Sequence, residues 1–382
     1  MKVTGYAYPW DVLELGFTER ALELGVDEVA VATSYHSARA ATPWSPSTTS
    51  VLAPHSAFYR PVHDDAWASA TLRPIEADWM TDPDSAGTAL RNAHDAGLAT
   101  AAWVVLTHTT RVGNAHPDMA VRNCFGETYP WALCPSRPEV RTYAATLAAE
   151  SVRDLDVDTV VLEACGQLGV LHQCQHEKTD AVWSSALVQL LSVCCCDGCT
   201  ARWSGSSDHV VEQLREAARR LLAEGDLAAT RTGVPDELLD ELLTGRHAST
   251  DALRAEVLDA LDAGSGPRPR IALHAAADPW TTGALPGLTP TSGKDVDTVV
   301  LPAWQPGEAT LSATRQARDE LPGDVAVGSY VTAVAAEPLA DPPAYIQALR
   351  DAGSTELHLY HLGLASPARW PDLRTATNAA RS

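Results

Sequence analysis

The sequence predicts an α/β fold, a single (β/α)8 TIM barrel spanning residues 1–382. Three features carry that expectation. Eight short β-branched runs recur along the chain, helical patterns separate them, and several of those helices end in Ala-Gly just before the next run. Strands that alternate with helices pair in parallel, and parallel strands covered on both faces read as continuous apolar runs, as in DTVVLE and DTVVLPAW.

In chain order the expected strands are residues 2–8, 28–33, 100–106, 159–162, 270–274, 298–301, 325–329 and 356–360. Gly97 in NAHDAGLATAAW and Gly353 in ALRDAGSTELHLY have the position of helix terminators. Two stretches exceed what a minimal barrel needs. Residues 34–80, rich in Pro, Trp and His with a hairpin-like SVLAPHSAFYRP, are expected to form an ordered flap over the active face after strand two. Residues 205–264 hold three helical patterns and are expected to form a helical insertion before strand five, with a homo-oligomer contact as one use for it.

Composition limits the partners. The chain is 45% hydrophobic and 20% charged, which supplies a large core and argues against disorder. Acidic residues outnumber basic ones 49 to 28, for a formal charge of −21, so nucleic acid and anionic membrane surfaces would be repelled. The amino terminus lacks the apolar run of a signal peptide, and no stretch is long enough to span a bilayer, so a cytoplasmic location is expected. There, eight cysteines are expected as thiols or metal ligands rather than disulfides.

Barrel enzymes draw their working residues from the carboxyl ends of the strands. Strand one ends near Tyr6, Tyr8 and Trp10. Strand two runs into Tyr35 and His36, strand three carries Trp103 and reaches His108, and strand four delivers Glu163. Strand five supplies His274 and Asp278, strand six Trp304, strand seven Tyr330, and strand eight Tyr360 and His361. Aromatic rings at so many strand ends suit the apolar faces of sugar rings, with His and acidic groups left to bind hydroxyls. Barrel filling accounts for any one of these rings taken alone.

Glu163 follows directly on TVVL, where an unpaired carboxylate is costly to bury, so a catalytic role is expected for it. Glycoside hydrolysis needs a second carboxyl group, for which Asp278 is the first choice and Glu177, Glu308 and Glu337 the others. The loop after strand four brings His172, Cys174, His176 and Glu177 close in sequence, of which His176 and Glu177 are expected to contact substrate. Farther on, SVCCCDGC places Cys194, Cys196 and Cys199 in a C-x-C-x-x-C set, three thiols of a structural zinc site with Cys174 or a His as fourth.

The runs GNAHPDMAVRNCFGETYPWALCPSRPEVRTY, VDTVVLEACG, HQCQHEK and LLSVCCCDGC, with SYHSARAATP and SAFYRP upstream, resemble a family of uncharacterised bacterial glycoside-hydrolase-like TIM barrels. The resemblance implies that Tyr35, His36, His108, Asn123, Glu163, His176 and Glu177 face the cleft. It also implies a Cys-aromatic-Cys-x-x-Cys segment, where this chain has Cys195 in place of the aromatic residue.

The leading expectation is therefore a glycosidase or transglycosidase acting on a small soluble glycoside through Glu163 and Asp278, with no cofactor required for the chemistry. Two alternatives stand beside it. One is a metal-dependent isomerase or hydrolase built on His108, His274, His361 and Glu163. The other is a non-catalytic sugar-binding barrel, which follows if no second carboxylate reaches Glu163.

Overall fold

The computed structural model describes residues 1–172, 177–179, 181–264, 266–335 and 337–382. Its centre is a closed barrel of eight parallel strands. They are β1 (Lys2–Ala7), β2 (Glu28–Tyr35), β3 (Ala99–Val105), β4 (Thr159–Glu163), β5 (Arg270–His274), β6 (Thr298–Pro302), β7 (Ala326–Thr332) and β8 (Glu356–Tyr360). Each pairs with its chain neighbours, and β1 closes the circle by pairing with both β2 and β8. The expected strands all form, within a few residues of their expected ends.

Side-chain alternation divides strands β3 to β7 between two cores. Val160, Leu162, Ile271, Leu273, Val299, Leu301 and Val327 pack outward with the helices. Val161, Ala272, Val300, Leu357's neighbour His358 and Tyr330 belong to the other side, toward the barrel axis. Burying each large aliphatic side chain contributes about 1.5–3 kcal/mol, so the outer layer holds the barrel to its helices.

Helices Phe17–Leu24, Ser85–Asp95, Pro138–Val152, Asp236–Asp262, Glu308–Glu320 and Pro342–Asp351 connect successive strands, and Trp370–Arg381 follows β8. Gly97 and Gly353 do end helices, with φ of 87° and 104° and amides that bond back to His94 and Arg350. The connection from β5 to β6 departs from the pattern: its described residues form no helix. Pro279, Gly283, Pro286 and Gly287 break helical geometry there, and the buried Arg254 ties the far end down through Asp295 and Thr291.

The 205–264 region contains two helices, Ser207–Glu224 and Asp236–Asp262, because the second runs unbroken through Gly245. That second helix packs on Pro138–Val152 and serves as the crossover from β4 to β5, so only part of the region is added to the barrel. After β2, Ala38–Ala41 pairs antiparallel with Ser50–Ala53, and Ala57–Phe58 turns back to pair with β2 itself. The hairpin thus uses SVLA of the expected SVLAPHSAFYRP, paired with residues upstream of it instead of with its own Ala57–Phe58. Trp44 anchors it, its indole donating to the Ala365 carbonyl at 2.8 Å. No described helix is long and apolar enough to cross a membrane.

Candidate functional site

A cavity of about 540 Å³ opens at the carboxyl ends of the strands. Tyr35, His36, Trp103, Glu163, Trp304, Tyr330 and Tyr360 line it, joined by His172 and by the 281–285 stretch that follows β5. Glu163 is the only carboxylate among the described residues of the wall.

The strands explain how an acid sits there. Glu163 is the last residue of β4, and alternation from Thr159 and Val161 turns it toward the axis. It is 4% exposed. The Trp103 indole on β3 donates to its Oε2 at 2.8 Å, and His274 Nδ1 on β5 stands 3.2 Å from the same oxygen, at ion-pair distance but off a hydrogen-bond line. Burial alone would raise this carboxyl group's pKa. His274 foremost, with His36 and the Trp103 N–H, outweighs burial and holds it below the usual range, so Glu163 is ionised at neutral pH.

Below Glu163 the barrel axis is a polar column. The Tyr6 hydroxyl lies 2.9 Å from His274 Nε2 and 3.0 Å from His358 Nδ1, so its one proton goes to one imidazole while it accepts from the other. His358 Nε2 in turn lies 3.4 Å from Glu356. Gly328 makes room for this column, because a Cβ there would meet the His358 ring at 2.7 Å. At the amino-terminal end Glu28 accepts from Lys2, Thr4 and Thr159, and Glu356 accepts from Arg270 and Thr298.

Several expected site residues lie elsewhere. Asp278 is exposed and off the cavity wall, its carboxylate accepting from the Trp280 amide in a tight turn. Glu308 and Glu337 are exposed, Glu308 pairing with Arg315 on its own helix, and Glu177 accepts from Thr179 without reaching the wall. Asn123 uses its whole amide inside a hairpin, donating to Glu127 and Tyr129 and accepting from two backbone amides. His176 and Cys174 lie outside the described residues.

Tyr8, Trp10 and His361 form a layer behind the wall. Tyr8 stacks on Trp10 with ring centres 4.5 Å apart and meets the tilted His361 ring at 4.4 Å. His361 Nδ1 faces Asp11 at 3.8 Å, and burial keeps both uncharged at neutral pH, driving Asp11 up to about 8 and His361 down to about 3. His274 supports Glu163 from below instead of facing the cavity. The set His108, His274, His361 and Glu163 therefore does not surround one point: His274 and His361 are held in separate buried contacts.

The cysteines converge. Cys194, Cys196 and Cys199 meet Cys134, and their sulfurs all lie within 4.8 Å of one another, with Cys134 3.5 Å from Cys199 and 3.7 Å from Cys196. Tetrahedral zinc with Zn–S near 2.3 Å separates its sulfurs by about 3.8 Å, so the four thiols fit such an ion. Hydrogen bonds from Cys134, Cys194 and Cys199 lower the pKa of the Cys196 thiol. Cys134 occupies the place expected for Cys174 or a His. Sequence spacing missed it because it lies across the loop after β3, and its only signal was a lone Cys in WALCPS.

No protein-family model and no curated sequence matches the chain. Solved structures do. The glycoside hydrolase domain of PgaB (BpsB) from Bordetella bronchiseptica superposes with a TM-score of 0.56 at 15% identity, over 99% of both chains. The catalytic domain of β-amylase from Paenibacillus polymyxa gives 0.54 at 10% identity, over 99% of this chain and 98% of that one. α-L-Fucosidase isoenzyme 2 from Paenibacillus thiaminolyticus gives 0.55 at 13% identity, and this chain, covered over 95% of its length, spans 45% of that protein. At such identities the likeness establishes the fold: the chain is a TIM barrel of the architecture used by glycoside hydrolases.

Proposed function

We propose that the cavity takes a small glycoside and that Glu163 acts on it as an ionised carboxylate, the nucleophile or base of a glycosidase. The observation that carries this reading is a buried Glu163 at the floor of an aromatic-walled cavity, its carboxyl held below the usual range by His274 and the Trp103 N–H. Trp304, Tyr330 and Tyr360 form one continuous aromatic wall, with ring centres 4.7–5.6 Å apart, the kind of surface on which the apolar face of a pyranose stacks. The barrel architecture shared with glycoside hydrolases supports the same reading.

An ionised Glu163 cannot donate a proton to a departing sugar oxygen. A second acid normally does that, and no other carboxylate lines the described wall. Substrates whose leaving group departs without a proton, such as glycosyl fluorides and dinitrophenyl glycosides, are therefore the sensitive probes. The wild type is expected to hydrolyse at least one of a panel of them, and Glu163→Gln to lose that turnover while keeping its fold.

The single carboxylate also favours a second reading, a sugar-binding barrel without turnover. Saturable sugar binding with no hydrolysis of any activated glycoside would select it and dismiss the glycosidase. Neither reading depends on the thiol cluster, for which we propose a structural zinc ion held by Cys134, Cys194, Cys196 and Cys199. Elemental analysis should find zinc that Cys134→Ser and Cys196→Ser both remove, with a fall in melting temperature. Full-length protein that is zinc-free yet equally stable would refute that assignment.

A further inference from the structure

We propose that His36, His108 and His172 form a site for a divalent transition-metal ion at the rim of the cavity, beside Glu163. The three come from the ends of β2 and β3 and from the loop after β4, and each brings one ring nitrogen to within 4.8 Å of the others. Their ring centres are 4.4, 5.2 and 5.9 Å apart. Three imidazoles bound tetrahedrally with Zn–N near 2.0–2.1 Å would set their ring centres about 5 Å apart, so small adjustments bring the observed set onto one ion.

Two observations distinguish this cluster from ordinary aromatic packing. His108 is 2% exposed and neither of its ring nitrogens has a hydrogen-bond partner among the described residues. Stacking explains its parallel approach to His36, but it leaves those nitrogens without the partner that a buried polar group needs. A coordinated ion would take up one of the two. His36 Nδ1 lies 2.9 Å from the Ser37 carbonyl, and only an N–H can make that contact, so Nε2 carries the lone pair. A backbone carbonyl that fixes the tautomer in this way is the usual support behind a metal-binding histidine.

The donor set names the ion class. Three imidazoles without carboxylate suit Zn²⁺, Cu²⁺ or Ni²⁺ and not the hard cations Ca²⁺ and Mg²⁺. Three protein ligands leave a fourth position, and because His36 and His172 line the cavity, that position faces whatever the cavity holds. The ion would bind an oxygen there, from water or from a ligand hydroxyl. This inference goes beyond the glycosidase reading and does not need it.

The test measures metal. Purified protein is loaded with Zn²⁺, desalted and analysed beside His36→Ala and His172→Ala, and separate samples of each not loaded with Zn²⁺ are titrated with Co²⁺. The wild type is expected to hold one ion per chain more than either variant. Its added Co²⁺ should give ligand-field absorption without the thiolate-to-cobalt charge transfer that the cysteine cluster would produce. Each substitution should weaken that Co²⁺ site by about tenfold or more. His172 is exposed, so its replacement leaves the fold intact, which circular dichroism checks. Equal metal content and identical Co²⁺ titrations in all three proteins would overturn the proposal, whatever the outcome with glycosides.

Discussion

At the amino-terminal end of the barrel Glu28 meets Lys2 and two threonine hydroxyls, and Glu356 meets Arg270, His358 and Thr298. At the carboxyl end Glu163 meets one indole N–H and one imidazole, and the rest of its surroundings is cavity. The lower glutamates are spent on closing the barrel, because permanent cations and hydroxyls occupy their oxygens. The upper one keeps lone pairs facing open space. Barrel enzymes draw their working residues from the carboxyl end and stability from the other, which is the division that the proposed role of Glu163 requires of these three acids.

Substitution at the two ends should therefore fail differently. Glu163→Gln should reduce turnover of an activated glycoside by about 10³-fold or more with little change in melting temperature, since the amide still accepts from Trp103. A variant with near-wild-type turnover would remove Glu163 from the chemistry and erase the contrast. Glu28→Ala should do the reverse, costing about 3–5 kcal/mol in a urea titration because Lys2, Thr4 and Thr159 lose their shared acceptor. A cost near zero would mean that the lower cluster is not what closes the barrel.

The eight strands were legible because each is a β-branched run covered on both faces, and burial on both sides leaves no polar positions to confuse the pattern. Glu163 was legible for the same reason, as a charge terminating such a run. Its partners were not. His274 stands 111 positions away and touches Glu163 only because β4 and β5 are neighbours in the barrel. Asp278 looked equivalent in sequence, but four residues beyond β5 the chain has already turned outward into solvent. The same limit hid Cys134 and the grouping of His36, His108 and His172, each a product of closure rather than of spacing. Asn123 shows the opposite error: a polar residue in a suggestive run whose whole amide is used by its own hairpin.

Acid should weaken the lower end first. Burial raises the Glu356 pKa, but His358 and Arg270 outweigh it and hold the group at about 2 in the folded chain, against about 4.3 unfolded. Stability from that lowering is fully present above the unfolded value and is lost as pH falls toward 2, amounting to about 3 kcal/mol. Glu356→Gln should accordingly flatten the decline of melting temperature between about pH 5 and 2. An unchanged pH profile would show that Glu356 is not bound as tightly as its contacts indicate.

The smallest effect expected belongs to the cavity wall. Trp304 is half-buried, with its ring 4.7 Å from Tyr330 and 5.5 Å from Tyr360, so it supports little of the core and offers one face to a ligand. Trp304→Ala should weaken sugar binding by about 1 kcal/mol, roughly fivefold, while stability falls less than for a fully buried ring. Trp304→Phe should recover part of the binding, because a smaller ring still stacks. If both variants bind as the wild type does, the ligand sits against the His36 side of the cavity instead, and the aromatic wall belongs to the barrel's packing.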